Sequence, residues 1–131
     1  MVIDSSALVA VLLEEEQSPL IARAIEAGSP RLLSAANLLE TAIVIESRKG
    51  GAGGRELDLL LYRAGVEVVD VDQNQAEIAR IAWRRFGKGR HAASLNYGDC
   101  FAYALAKSRR TALLFLGNDF AQTDIERVPL R

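Results

Sequence analysis

Four acidic residues of this chain lie among apolar neighbours, where a solvated carboxylate is not expected. Asp4 ends a short apolar run with the composition of a buried strand. Glu40 lies inside a predicted helix, and Ala36, Ile43 and Val44 lie one turn away from it on the same face. That face is apolar, so the Glu40 carboxylate is expected to point toward something buried.

The other two acids are Asp99, which opens a predicted helix, and Asp119, which lies in a turn after a buried run. Each acid has an ordinary explanation when it is taken alone. Asp99 would interact favourably with the positive end of the helix dipole. Asp119 would be a common turn residue, and Glu40 could pair with a buried arginine. These alternatives stay open at the level of single residues.

Taken together, the four carboxylates predict a cation site. Two like charges about 4 Å apart at an effective dielectric near 20 repel by about 4 kcal/mol, so a shared pocket needs protonation or a divalent cation. We favour the cation, and all-oxygen ligands suit Mg²⁺, with Mn²⁺ as a substitute. The chain has one cysteine and one histidine. This composition excludes an internal disulfide, a multi-cysteine zinc cluster and a histidine-rich metal site.

The elements that must position these acids alternate between strands and helices. The apolar spacing predicts strands over 1–4, 31–33, 66–71, 112–116 and, at one edge, 125–130. Helices are predicted over 5–13, 14–27, 35–48, 56–63, 74–86 and 99–107, with Ser5 or Ser6 as the first cap and a break at the glycine cluster 50–54. Such alternation predicts an α/β fold with a parallel sheet covered on both faces. Asp4 and Asp119 would then meet at one rim of the sheet.

Length and composition limit the classes of protein that remain. The 131 residues are 50% hydrophobic and 25% charged, which fits a single globular domain over 1–131. The formal net charge of -1 argues against a protein that coats nucleic acid by charge alone. No apolar run is long enough to cross a bilayer. With so few cysteines, we expect a reducing, cytoplasmic location.

Basic residues are concentrated in one acid-free segment, residues 80–91. It contains Arg80, Arg84, Arg85, Lys88, Arg90 and His91. The segment is either a solvated helix face with a mobile loop or a track for a phosphate backbone that leads to Asp99. Trp83 and Phe86 lie within it, and their spacing is more typical of a core or a partner interface than of base stacking.

The order of four motifs resembles the PIN-domain family, and more narrowly the VapC-type toxins of type II toxin–antitoxin systems. The resemblance covers essentially the whole chain. It rests on Val2-Ile3-Asp4-Ser5-Ser6-Ala7, on Glu40, on Leu95-Asn96-Tyr97-Gly98-Asp99-Cys100 and on Leu114-Phe115-Leu116-Gly117-Asn118-Asp119-Phe120. One position departs from the pattern: many PIN domains carry an acid two residues before the Asp-Phe pair, where this chain has Gly117.

The resemblance implies a PIN-like three-layer sandwich with a mostly parallel sheet of four to five strands. It also implies a Mg²⁺-dependent endoribonuclease in which metal-activated water attacks phosphorus in line. Asp4 and Asp99 would be the principal metal ligands, and Glu40 and Asp119 would complete the acidic site. The candidates for positioning substrate are Ser6 and Asn96, with Arg84, Arg85, Lys88 and Arg90 from the basic segment.

The partners implied are an RNA substrate, such as a structured tRNA, a cognate VapB-type antitoxin and a second copy in a homodimer. No membrane partner is expected. Two other classes of protein fit the sequence less well. A receiver-like Mg²⁺-binding signalling module needs paired acids after the first strand and a lysine after the last, and this chain has neither. A haloacid-dehalogenase-type phosphatase needs a second Asp where Ser6 stands.

Overall fold

Four short parallel strands form a single sheet in the computed structural model, which describes residues 1–131. Five helices flank the sheet. The strands are β1 (Val2–Ile3), β2 (Leu32–Ser34), β3 (Glu67–Val69) and β4 (Leu113–Leu114). The helices are α1 (Ser5–Leu12), α2 (Ser18–Ala27), α3 (Ala35–Arg63), α4 (Gln73–Phe86) and α5 (Tyr97–Arg109), followed by a 3-10 turn over Phe120–Gln122.

The strand order across the sheet is β3-β2-β1-β4, and every pairing is parallel. The chain therefore moves outward from β1 to β2 and β3, then returns to the other side of β1. Val2 pairs with Leu32 on one side and with Leu113 on the other. The order reverses between β1 and β4, and in open α/β sheets the crevice beyond the carboxyl ends of such strands is where ligands bind.

Alternate residues of the strands face two separate cores, as the pleat of a strand requires. Ile3, Leu33 and Leu114 are buried against α1, α2 and α3 on one face. Val2 and the residues paired with it are buried against α4 and α5 on the other face. The two apolar layers around one sheet confirm the α/β three-layer prediction, with four strands rather than five.

The predicted edge strand over 125–130 is absent as a strand. This part of the chain makes a single parallel bridge between Leu113 and Arg127, with hydrogen bonds from Leu113 N to Glu126 O (2.9 Å) and from Val128 N to Leu113 O (3.0 Å). Pro129 follows directly and has no N–H to donate to a longer ladder. The apolar spacing predicted a strand, and the proline limits it to one bridge.

The cap of α1 and the start of α2 also differ from the sequence-based expectation. Asp4, rather than Ser5 or Ser6, caps α1: its Oδ2 accepts a hydrogen bond from Ser6 N at 3.0 Å. The second helix begins at Ser18 instead of residue 14, because Glu14 adopts a left-handed backbone with φ of 53° and Pro19 stands in the first turn.

The glycine cluster 50–54 bends a helix instead of ending it. Only Gly50 leaves helical geometry, with φ of 65° and ψ of -160°, and α3 continues to Arg63. Gly53 packs closely on Ile45 and Lys49, so the missing side chain lets the two segments of α3 approach each other. None of the helices is both long enough and apolar enough to span a membrane.

Candidate metal-dependent nuclease site

Asp4 lies at the carboxyl end of β1, where the strand turns directly into α1. Its side chain is buried. Oδ2 accepts the hydrogen bond from Ser6 N, whereas Oδ1 is buried and accepts none. Burial raises the pKa of Asp4 to about 6; the hydrogen bonds from Ser6 oppose this shift, and the negative charge of Glu40 adds to it. Burying a carboxylate oxygen without a hydrogen-bond partner costs free energy unless a ligand binds that oxygen.

Glu40 is held on α3 by two hydrogen bonds to one of its oxygens. Ser5 Oγ donates to Oε1 at 2.6 Å, and Asn37 Nδ2 donates to the same atom at 3.1 Å. The other oxygen, Oε2, faces Gly98 so closely that an added Cβ there would overlap it. The sequence predicted that Glu40 points inward. The structure shows that hydroxyl and amide donors hold it, rather than a buried arginine.

Asp99 stands in the first turn of α5, where it completes a capping box. Its Oδ2 accepts from Asn96 N at 3.0 Å, and Asn96 Oδ1 accepts from Asp99 N at 2.9 Å. Asp99 therefore also has the ordinary role of an acid in the first turn of a helix. The pKa of Asp99 is nevertheless raised to about 7, first by burial and then by the charges of Asp4, Asp119 and Glu40, against the Asn96 hydrogen bond.

Asp119 lies beyond β4, after Gly117, whose φ of 90° makes the turn. Its side chain is exposed and makes no capping hydrogen bond to the 3-10 turn that follows. Its charge is nonetheless among those that raise the pKa of Asp99. The four acids singled out by the sequence thus come from four separate elements to the same end of the β1–β4 crevice.

Known proteins match this chain over nearly its whole length. The PIN-domain family model matches residues 1–126. The chain is 58% identical to a ribonuclease VapC of Mycolicibacterium smegmatis, over 98% of this chain and 99% of that protein. It is 57% identical to ribonuclease VapC30 of Mycobacterium tuberculosis, over 99% of both chains.

The chain belongs to the VapC ribonucleases of the PIN-domain family. Solved structures share its fold at low identity. A crystal structure of the Mycobacterium tuberculosis toxin VapC20, described as cleaving the sarcin-ricin loop, aligns with a TM-score of 0.80 at 16% identity over 97% of both chains. A toxin–antitoxin complex from Klebsiella pneumoniae aligns with a TM-score of 0.71 at 18% identity, over 94% of this chain and 92% of that one.

Family membership confirms the resemblance drawn from the motifs. It removes the receiver-like and phosphatase alternatives, because each belongs to another fold family. The individual site residues stay predictions, supported by geometry alone.

The donor set of this VapC-family site fits a hard divalent cation in its chemistry. All four groups are carboxylates, the ligands that Mg²⁺ and Mn²⁺ prefer, and Asp4 Oδ1 is a buried acceptor with no protein partner. No three acidic, histidine or cysteine side chains stand in a ready coordinating arrangement. Binding would therefore draw the carboxylates closer together than they lie in this structure.

The two uncharged residues predicted to position substrate both border the acids. Ser6 lies in the first turn of α1, and its Oγ accepts a hydrogen bond from Leu116 N at 3.0 Å, which ties α1 to the end of β4. Asn96 caps α5 and holds Asp99. Both contacts are structural, and both fix the backbone that carries a carboxylate.

The predicted basic residues divide between two surfaces of the fold. Arg85 turns away from the acids and lies 3.8 Å from Asp124, which also accepts from Lys107 at 2.7 Å. Lys88 lines a groove that also contains Asn96, next to the acidic cluster. Lys88 therefore lies beside the acidic cluster, whereas Arg85 is engaged elsewhere.

Arg84 and Arg90 lie at the outer end of α4. Arg84 is exposed, and its backbone carbonyl accepts from Arg90 Nε at 3.4 Å. The Arg90 guanidinium lies 4.5 Å from the centre of the Trp83 ring. The structure leaves Arg84 free on the surface and holds Arg90 against an aromatic side chain.

Three residues that contact the site were missed by the sequence analysis: Ser5, Asn37 and Gly98. Asn37 is fully buried, and its amide also donates to Gly98 O at 3.0 Å, so it links α3 to the first turn of α5. A polar side chain one turn before Glu40 on the same apolar face was an available signal. Gly98, directly before Asp99 in a helix, was a second one.

Proposed function

We propose that this VapC-family chain is a Mg²⁺-dependent endoribonuclease, with Mn²⁺ as a substitute. The observation that carries the proposal is the convergence of Asp4, Glu40, Asp99 and Asp119, with the pKa of Asp99 raised first by burial and then by the charges of the other three. A pocket with this much negative charge is costly to ionise when it is empty. It becomes favourable when a cation neutralises it.

Asp4 and Asp99 are assigned to hold the metal, because each stands where a helix begins and burial raises the pKa of each. Glu40 and Asp119 complete the charge around it. A divalent cation would neutralise charge on the scissile phosphate and lower the pKa of a water molecule. The chain itself orients Asp4 through its α1 cap and Glu40 through Ser5 and Asn37, and it holds Asp99 through the Asn96 capping box.

The substrate of the proposal is a structured RNA such as tRNA, and the first test is its digestion by purified protein. Cleavage should require Mg²⁺ or Mn²⁺ and stop with a chelator. Asp4→Asn should lower the rate by more than about 100-fold, beyond the roughly 10–100-fold typical of residues that only support a metal ligand. Asparagine is as good a helix cap as aspartate, so α1 should keep its start.

A matched control is available at the start of α4. Asp72 caps that helix by accepting from Gln75 N at 2.8 Å, outside the acidic cluster. Asp72→Asn makes the same chemical change at the same kind of position and should leave cleavage intact. Wild-type cleavage by Asp4→Asn, or cleavage that persists in excess chelator, would overturn the assignment of Asp4 or of the metal.

We further propose that a VapB-type antitoxin binds this chain, and that the chain forms a homodimer. The Klebsiella structure that shares this fold is a toxin–antitoxin complex. Leu39 and Ile43 lie one turn apart on α3 with exposed fractions of 62% and 57%, which leaves an apolar strip for a partner.

The adjacent reading frame should encode a short protein with a DNA-binding N-terminal region. An unrelated gene on both sides would count against the antitoxin.

A further inference from the structure

A groove between α4 and α5 opens beside the acidic cluster, and the proposed cleavage reaction does not account for it. Its volume is about 600 Å³, within the range of roughly 300–1,000 Å³ typical of sites for small organic ligands. The lining is mainly apolar and contains three aromatic rings, Trp83, Tyr97 and Phe101. We call it the α4–α5 groove.

The rings of the groove are exposed and yet held in place. Tyr97 is 82% exposed and meets the Phe101 ring edge-on, with 4.8 Å between the ring centres. Trp83 is 46% exposed; Arg90 covers it, and its indole lies against Gly87 so closely that a Cβ there would overlap it. Fixed aromatic surface that stays in water is typical of a place where a flat ligand stacks.

The charge around the groove is positive. Arg80 and Lys88 line it, and no acidic residue does. Arg80 has only a long, exposed ion pair with Glu77, at 3.9 Å, and such a pair holds a side chain weakly. Aromatic faces flanked by cations match a nucleotide, whose base stacks and whose phosphate is anionic.

The groove adjoins the acidic site at the start of α5. Asn96 lines the groove, and its backbone N–H donates to the Asp99 carboxylate. Cys100, the residue directly after Asp99 on α5, lines the groove as well. A phosphate bound at the acids would therefore leave the neighbouring nucleotide beside the groove.

We propose that the α4–α5 groove binds an unstacked base of the RNA substrate against Tyr97 and Trp83, with Lys88 and Arg80 on the adjoining phosphate. This inference rests on the proposed function in one respect, that the substrate is RNA. It assigns the nucleotide next to the cut a binding site of its own. The enzyme would consequently prefer single-stranded or opened RNA at that position.

Trp83 is the only tryptophan of the chain, so its fluorescence reports on the groove directly. The titration uses a short oligo-adenylate and an abasic oligomer of the same length, both with excess chelator so that no cleavage occurs. We expect the oligo-adenylate to quench Trp83 to saturation. The abasic oligomer should bind roughly 5- to 150-fold more weakly, the equivalent of one lost base–aromatic stack, and leave the fluorescence unchanged.

Tyr97 provides the variant, because a ring that is mostly in solvent can be removed with little effect on folding. Tyr97→Ala should weaken binding of the oligo-adenylate by a similar factor and leave binding of the abasic oligomer unchanged. Tyr97→Phe keeps the ring and should bind as the wild type does. Tyr62→Ala removes a tyrosine that is 84% exposed on α3, on the other side of the sheet, and is the matched control.

Three results would overturn the proposal. The first is equal binding of the two oligomers with no effect of Tyr97→Ala. The second is a Tyr97→Ala protein that binds RNA normally and loses self-association in sedimentation, which would make the groove an interface between copies. The third is a Tyr97→Ala protein that binds RNA normally and loses antitoxin binding, which would mean that the groove binds the antitoxin.

The proposed nuclease function is tested separately, because base-dependent binding is measured without metal. Base-dependent quenching by a protein that never cleaves RNA would uphold the groove and contradict the nuclease assignment. Metal-dependent cleavage by a protein that binds both oligomers equally would support the nuclease assignment and contradict the proposed role of the groove.

Discussion

Asn37 shows how one buried side chain can set the position of two parts of the acidic site. Its Nδ2 donates to Glu40 Oε1 and to the carbonyl oxygen of Gly98, and the residue is completely buried. Its side-chain hydrogen bonds go to Glu40 and to the start of α5, and its Oδ1 is buried without a partner. Its expected effect is therefore on the geometry of Glu40 and of the α5 start that carries Asp99.

Asn37→Ala should lower kcat for RNA cleavage by about 10-fold or more while KM changes little, as for groups that support metal ligands. It should also destabilise the fold by about 1–3 kcal/mol, because two part-buried acceptors each lose one hydrogen bond. Steady-state cleavage and thermal unfolding measure the two effects. The control is Thr41→Ala, which removes a buried hydroxyl that donates to Asn37 O at 2.7 Å and contacts no acid.

Thr41→Ala should cost stability and leave kcat close to that of the wild type. If both variants lower kcat equally, Asn37 acts through general packing and has no special link to Glu40.

The four acids could be predicted from the sequence because the neighbours of each acid do not account for a charged residue at that position. An acid that ends an apolar run, or that shares a helix face with Ile43 and Val44, can be recognised from the sequence alone. The contacts of Ser5 and Asn37 were not, because they join residues 35 and 61 positions apart. Only the packing of α1, α3 and α5 determines which donors reach Glu40.

The bend of α3 leads to the clearest prediction about the stability of a single element. Gly50 has φ of 65° and ψ of -160°, a conformation that side chains with a Cβ rarely adopt. Gly51 is helical, and an added Cβ would meet only the Arg55 side chain at 3.5 Å. The same substitution at these adjacent positions should therefore have opposite effects.

Gly50→Ala should lower the free energy of unfolding by about 1–3 kcal/mol. Gly51→Ala should raise it by about 0.5–1 kcal/mol, because alanine has the higher helix propensity. Thermal unfolding followed by circular dichroism measures both, and each kcal/mol corresponds to a few degrees in Tm. Shifts in the same direction would mean that the bend is not imposed by the backbone of Gly50.

Element types were predictable from the sequence, and element ends were not. The alternation of apolar runs and helical spacing gave the four strands of the sheet, whereas the glycine cluster 50–54 was interpreted as a break. Composition alone cannot show that Gly53 lies against Ile45, where its missing side chain allows a close helix approach. At the C-terminal end, the predicted strand over 125–130 is reduced to one bridge, since Pro129 limits the ladder.

Charge is unevenly distributed over the whole molecule. The formal net charge is -1, so the chain without the four acids of the site carries a formal charge of +3. The acids lie at one end of the crevice, and the acid-free segment 80–91 follows along α4 and the loop after it. This polarity suits a molecule that holds a cation at one point and a phosphate backbone beside it.

The same concentration of acids should make the stability of the metal-free protein depend on pH. The folded protein raises the pKa of Asp4 to about 6 and of Asp99 to about 7, both above the ordinary value of 3.8. Between about pH 4 and pH 7 the folded state therefore binds more protons than the unfolded chain, so the free energy of unfolding falls as the pH rises. Asp99 is partly open to solvent, so Asp4 should dominate the effect.

Thermal unfolding in chelator should show Tm falling by several degrees from about pH 4.5 to pH 7.5, since ionising Asp4 in the fold costs on the order of 3 kcal/mol. At pH 7.5, Mg²⁺ should raise Tm because it binds the folded carboxylates and not the unfolded chain. Asp4→Asn should raise the metal-free Tm at pH 7.5, flatten the pH dependence and weaken the response to Mg²⁺. Asp72→Asn should change none of these. A wild-type Tm that rises with pH over this range, or that ignores Mg²⁺, would mean that the four acids do not share one electrostatic pocket.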